Sequence, residues 1–125
     1  MSDVTNLDPA AVQRLQRLGG NEFVVKMIDL FAGYAREKLA AAHQAHAAGE
    51  LERVADAVHP IKSSAGNVGA KTVQDLARQI EELARQSNGE PLAGLLEELD
   101  RAFLASMKDL EQLKLALSSP TDVAR

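Results

Sequence analysis

A chain of 125 residues with 46% apolar content is long enough to bury one core, yet only 3% of it is aromatic and it has no tryptophan. Such a core must be built from Leu, Val, Ile and Ala, which suits close-packed helices better than a sandwich. Without cysteine there is no disulfide framework, thiolate metal site or cysteine nucleophile, and a net charge of −4 with no Lys/Arg-rich window disfavours nucleic acid and membrane surfaces as partners. Met1-Ser2-Asp3-Val4-Thr5-Asn6 lacks the basic and apolar regions of a signal peptide, and no apolar run reaches spanning length, so a soluble cytoplasmic protein is expected.

One domain is expected over residues 1–125, with 1–7 and 118–125 as flexible ends. Asp8-Pro9 pairs an N-cap with a proline at the first helical position, opening a short extra helix that runs to about Leu18 and stops at Gly19-Gly20. Asn21 can cap the next helix, which continues to about Ala48. Its first half carries two apolar rows, Phe23, Met27, Leu30, Tyr34 and Val24, Ile28, Phe31, Ala35, a face too broad for one neighbour. Either the first helix or a partner has to cover part of it.

The third helix, about 50–68, lines up Leu51, Val54, Ala55, Val58, Ile61, Ala65 and Val68 as one apolar stripe. Pro60 removes a backbone donor there and clashes with the Asp56 carbonyl, so a kink or a short break is expected, or a helix that restarts at Pro60. A fourth helix from Lys71 repeats Val73, Leu76, Ile80 and Leu83, and ends at Ser87-Asn88-Gly89. A last one begins near Pro91 and holds Leu92, Leu96, Leu99, Phe103, Leu110, Leu113 and Leu117 in register, with Ser106 in the remaining slot. No stretch alternates with period two. The fold class expected is all-α, an antiparallel four-helix bundle with a short extra N-terminal helix.

The chemistry concentrates in His59-Pro60-Ile61-Lys62-Ser63-Ser64-Ala65-Gly66-Asn67-Val68-Gly69-Ala70. His59 lies just past the edge of the apolar stripe, Lys62 at i+3 can bring its ammonium beside the ring, and Ser63 and Gly66 leave the helix surface nearly bald. A helix built only for stability would carry larger helix formers there. A neutral imidazole on such a rim suits nucleophilic attack on an activated phosphoryl group, with Lys62 offsetting the charge of the phosphoryl oxygens. As an exposed charge Lys62 would contribute little to folding, on the order of 0–1 kcal/mol. Asp56, one turn earlier, could orient the ring or be a plain surface carboxylate. His43 and His46, at i and i+3, could ligate a metal, but no third ligand is evident, so no metal site is expected. No Gly-rich phosphate loop or kinase-type ATP motif occurs.

This segment resembles the histidine-containing phosphotransfer (HPt) domains of bacterial two-component phosphorelays, whose usual signature is His-x-Leu-Lys-Gly-Ser-Ala-x-x-x-Gly-Ala. His59, Ile61, Lys62, Ser64-Ala65 and Gly69 match it, whereas Ser63 stands where glycine is usual, which can narrow the set of partners. The resemblance implies a phosphorylated His59 and a phosphate-side Lys62. It also implies that Glu81, twenty-two residues on, can hydrogen-bond the ring; by itself Glu81 reads equally well as a solvated helix carboxylate. The function implied is relay of a phosphoryl group between aspartates of response-regulator receiver domains. A hybrid sensor kinase is a further partner, the chain needs no cofactor of its own, and Mg2+ comes with the receiver. The docking surface expected is Ser63, Gly66 and Asn67, with Arg36 and Leu39 facing it from the second helix. A monomer is expected. The alternative is a helical docking module, never phosphorylated, that regulates a receiver or kinase; a metal-binding bundle built on His43 and His46 is a third reading.

Overall fold

A computed structural model describes residues 7–118. Four helices follow one another: α1 (Pro9–Ala47), α2 (Leu51–Asn67), α3 (Lys71–Arg85) and α4 (Leu92–Leu117). Each packs on its sequence neighbours and α4 closes back onto α1, while the diagonal pairs do not meet among the described residues. The connections of three to six residues make this an antiparallel bundle. There is no strand among the described residues, only an isolated bridge between Leu7 and Ala70.

The separate N-terminal helix of the sequence reading is the first stretch of α1. Gly20 alone leaves helical dihedrals there, at φ 78° and ψ −172°, a conformation that disfavours any residue with a Cβ. Asn21 accepts a hydrogen bond from Gln16 Nε2 across this break. Asp8 does cap the helix, its carboxylate accepting from the Ala10 amide, with Pro9 first in the helix.

The expected flexible ends lie mostly outside the described residues, but Leu7 is held. The Asp8 amide donates to the Gly69 carbonyl at 2.8 Å, and a Cβ on Gly69 would stand 2.9 Å from the Asp8 carbonyl oxygen. With φ at +83°, Gly69 both ends α2 and lets the chain start lie against it.

Neither the break nor the restart anticipated at Pro60 occurs: α2 is one element with Pro60 inside it. The carbonyl that loses its helical donor belongs to exposed Asp56, where water can replace the missing amide. Ser64 Oγ donates to the carbonyls of Pro60 and Ile61 in the following turn.

The core is Leu, Val, Ile and Ala with Met107 and with Phe31 tilted at 56° against Phe103, ring centroids 5.8 Å apart. Every stripe residue of α2 is buried except half-buried Leu51, and Ser106 is buried in the seam of α4. On α1 the row Val24, Ile28, Phe31 and Ala35 is buried, while the other row stays partly open, with Leu30 and Tyr34 exposed. Neither the first stretch of α1 nor another helix covers these two.

Candidate functional site

The site is built where α2 and α3 pack side by side. His59 lies on the outer edge of α2 with its side chain 61% exposed, and its Nδ1 stands 2.7 Å from Glu81 Oε2 of α3. Glu81 follows Val73 and Ala77 at four-residue spacing, so it projects from the margin of the apolar face of α3, with only 11% of its side chain exposed. A carboxylate placed there needs partners, and it has three. Lys62 Nζ lies 2.6 Å from Oε1, and Arg85 Nη2 donates to Oε2 at 3.2 Å.

Burial pushes the Glu81 carboxyl up, but hydrogen bonds from Lys62 and His59, and the charges of both, outweigh it and hold the group below its ordinary 4.5. Glu81 is therefore ionised at neutral pH. A carboxylate can only accept, so the proton of a neutral His59 sits on Nδ1 and donates to Glu81. Nε2 is left on the solvent side with its lone pair free. That is a nucleophile aimed outward, with a buried carboxylate behind it.

Lys62 is near the ring, as its spacing requires, but its ammonium is paired with Glu81 rather than standing free. Its side chain is 30% exposed and its partner nearly buried, so it contributes more to folding than an exposed charge would. Asp56 does not orient the imidazole: it accepts from Arg85 Nη1 at 3.1 Å, beside Glu52 at 2.7 Å.

Of the expected docking residues, Ser63 and Asn67 are exposed on α2. Gly66 is only half-open, because a Cβ there would stand 2.5 Å from the amide nitrogen of Gln74, which lies over it. Arg36 and Leu39 are not brought to His59. Leu39 is 7% exposed, Arg36 stacks over Phe103 at 5.5 Å, and both line a groove with Asp100 and Leu104 of α4. The surface that flanks the site on α1 is instead Met27, Leu30 and Tyr34, which form a shallow groove with Ser64, Asn67 and Val68.

Among the described residues no group of three or more His, Asp or Glu could hold a metal. His43 Nε2 lies 3.0 and 2.9 Å from the two Asp100 oxygens, joining α1 to α4. No described helix is long and apolar enough to cross a membrane.

Arg85 was missed by sequence reasoning, although two signals pointed to it. It stands four residues after Glu81, the favoured order for a helical ion pair, and Glu52 and Asp56 put two like charges four apart on α2.

These features are those of a phosphotransfer bundle, and the chain belongs to the Hpt domain family, whose sequence profile matches residues 26–118. It is similar in structure to the histidine-containing phosphotransfer protein B (HptB) from Pseudomonas aeruginosa PAO1, with a TM-score of 0.84, 25% identity, and coverage of 90% of this chain and 97% of that one. No curated protein matches the chain. Its function is histidine phosphotransfer in a phosphorelay, as an intermediate rather than a kinase, in contact with receiver and kinase proteins of two-component systems.

Proposed function

We propose that His59 is the residue that carries the phosphoryl group and that Nε2 is the atom that takes it. The observation that carries this reading is the contact between His59 Nδ1 and the nearly buried Glu81 carboxylate, which fixes the proton on one nitrogen and leaves the other exposed. The ring approaches the aspartyl phosphate of a receiver domain. The Nε2 lone pair forms the P–N bond as the P–O bond to the aspartate breaks, and the aspartate carboxylate leaves with that electron pair. The ring acquires positive charge, and Glu81 balances it through the Nδ1 proton. No proton has to leave Nε2. Transfer onward is the same step in reverse.

Lys62 is the donor for the phosphoryl oxygens. Its ammonium sits at Glu81 in the resting chain, and a flexible four-carbon stem lets it turn toward the ring. Ser63 and Asn67, with Leu30 and Tyr34 of α1, form the surface a receiver closes on, beside the exposed ring of His59. The serine at 63 adds little bulk over the usual glycine. The chain supplies no ATP site and no metal, so Mg2+ belongs to the receiver. It acts as a monomer, relaying between receivers and a hybrid sensor kinase.

The test is incubation with phosphorylated receivers, one at a time. Label on the wild type should vanish in mild acid and survive alkali, as a phosphoramidate does, and His59→Gln should take none. Acid-stable label, or label on His59→Gln, would sink the assignment.

A further inference from the structure

One charged group of the network has no part in the chemistry above. Arg85 bridges α3 to α2, with Nη1 donating to Glu52 Oε2 at 2.7 Å and to Asp56 Oδ1 at 3.1 Å. Its Nη2 donates to Glu81 Oε2 at 3.2 Å, the same oxygen that accepts from His59 Nδ1 at 2.7 Å. These two contacts put the guanidinium within about 6 Å of the ring nitrogen. A surface cross-link between the helices needs one carboxylate on α2. Two of them, four residues apart, repel each other unless a cation stands between them, and together they fix that cation on the Glu81 side.

We propose that Arg85 is a positioning residue: it holds the Glu81 carboxylate on the imidazole and takes over its charge compensation when Lys62 turns to the phosphoryl group. The assignment rests on His59 being the acceptor. In the resting chain Glu81 has Lys62 on Oε1 and Arg85 on Oε2. A phosphoryl group on Nε2 brings between one and two negative charges, as phosphate monoesters do near pH 7. Lys62 is the mobile cation and is drawn to it. Without a second cation, Lys62 would leave a nearly buried carboxylate facing only the ring, and that cost would keep the lysine where it is. Arg85 cannot follow, because its planar fork is tied to Glu52 and Asp56. One cation stays and the other is released.

The same charge acts on the ring before any transfer. The charged groups around His59 are Glu81 and Lys62 directly, and Arg85 with Glu52 and Asp56 behind it. The carboxylate holds the ring proton on Nδ1 and so keeps the lone pair on Nε2, and the guanidinium keeps the carboxylate in that place.

Arg85→Gln tests both effects. The share of neutral His59 rings with the proton on Nδ1, read from the ring 15N shifts by NMR, should fall as Glu81 is released from the imidazole. Transfer from a phosphorylated receiver should fall roughly three- to tenfold in the wild-type background and less than about twofold in Lys62→Gln, where no lysine remains to be released. Arg85→Lys should restore most of the Nδ1–H tautomer and part of the transfer, since it keeps the charge and loses the fork. An unmoved tautomer, or an equal loss of transfer with and without Lys62, overturns the assignment. Absence of label on the wild type overturns instead the reading of His59 as acceptor; the two failures are separable because the tautomer measurement needs no phosphoryl donor.

Discussion

Two histidine–carboxylate pairs stand among the described residues at nearly the same distance, in different surroundings. His59 meets Glu81 through Nδ1 at 2.7 Å, and His43 meets Asp100 through Nε2 at 2.9 Å. Asp100 is 42% exposed, like its histidine, and both its oxygens lie against one nitrogen. That is a cross-link between α1 and α4 in reach of water. Glu81 is nearly buried, carries two cations besides the ring, and sends the free nitrogen of His59 outward beside small side chains. The difference shows that a short contact does not make a site. What matters is which nitrogen is spent on the carboxylate, and what else the carboxylate holds.

The sharpest way to break this contrast is to exchange the acceptors. His59→Gln should abolish phosphoryl label, and His43→Gln should leave transfer within about twofold. Label that persists in the first, or is lost in the second, would mean the pairs have been assigned the wrong way round. Next in size is Glu81→Gln, which keeps an acceptor for Nδ1 but loses the charge. Exchanging a charge-assisted hydrogen bond for a neutral one, about 1.5 kcal/mol, should slow transfer roughly tenfold. Asp100→Asn, the matching change at the other pair, should not slow it.

Lys62→Ala touches both stability and transfer, because it removes a cation from a nearly buried partner that retains only Arg85 and the neutral ring. A cost of about 1–2 kcal/mol, seen as a loss of several degrees in melting temperature, is expected along with slower transfer. Full stability in this variant would show that Lys62 stands free of Glu81 in solution.

The pH dependence of folding sharpens the same comparison. The Glu81 carboxyl is held below its ordinary 4.5 in the folded chain, so its contribution is fully present above that value and is lost as pH falls through the folded value. The stability gap between wild type and Glu81→Gln, measured by denaturant unfolding, should therefore close below pH 4.5. A gap that widens on acidification would contradict the ionised carboxylate. The smallest effect expected is in the half-exposed pair, where His43→Gln or Asp100→Asn should cost no more than about 1 kcal/mol.

Much of this was legible in the residues. Helix boundaries followed from Asp8-Pro9, Gly69 and the apolar spacing. His59 and Lys62 had to share one edge of α2, because about 100° per residue puts i and i+3 together whatever surrounds them. Ser106 could be placed in the seam of α4 for the same reason. Within a helix, backbone dihedrals alone decide which side chains are neighbours. Between helices nothing local decides it: the rotation of one helix against the next is set by packing its whole seam. Arg36 and Leu39 therefore turned to α4 and left Leu30 and Tyr34 beside the site. Pro60 was absorbed without a break because Asp56 faces water. The partners of Lys62, Asp56 and Arg85 were settled only when α3 came to rest on α2. Glu81 stands on the border between these two regimes, since its spacing from His59 could be counted along the chain but its burial, and with it the need that gathers two cations and the imidazole around it, is a property of the packed bundle.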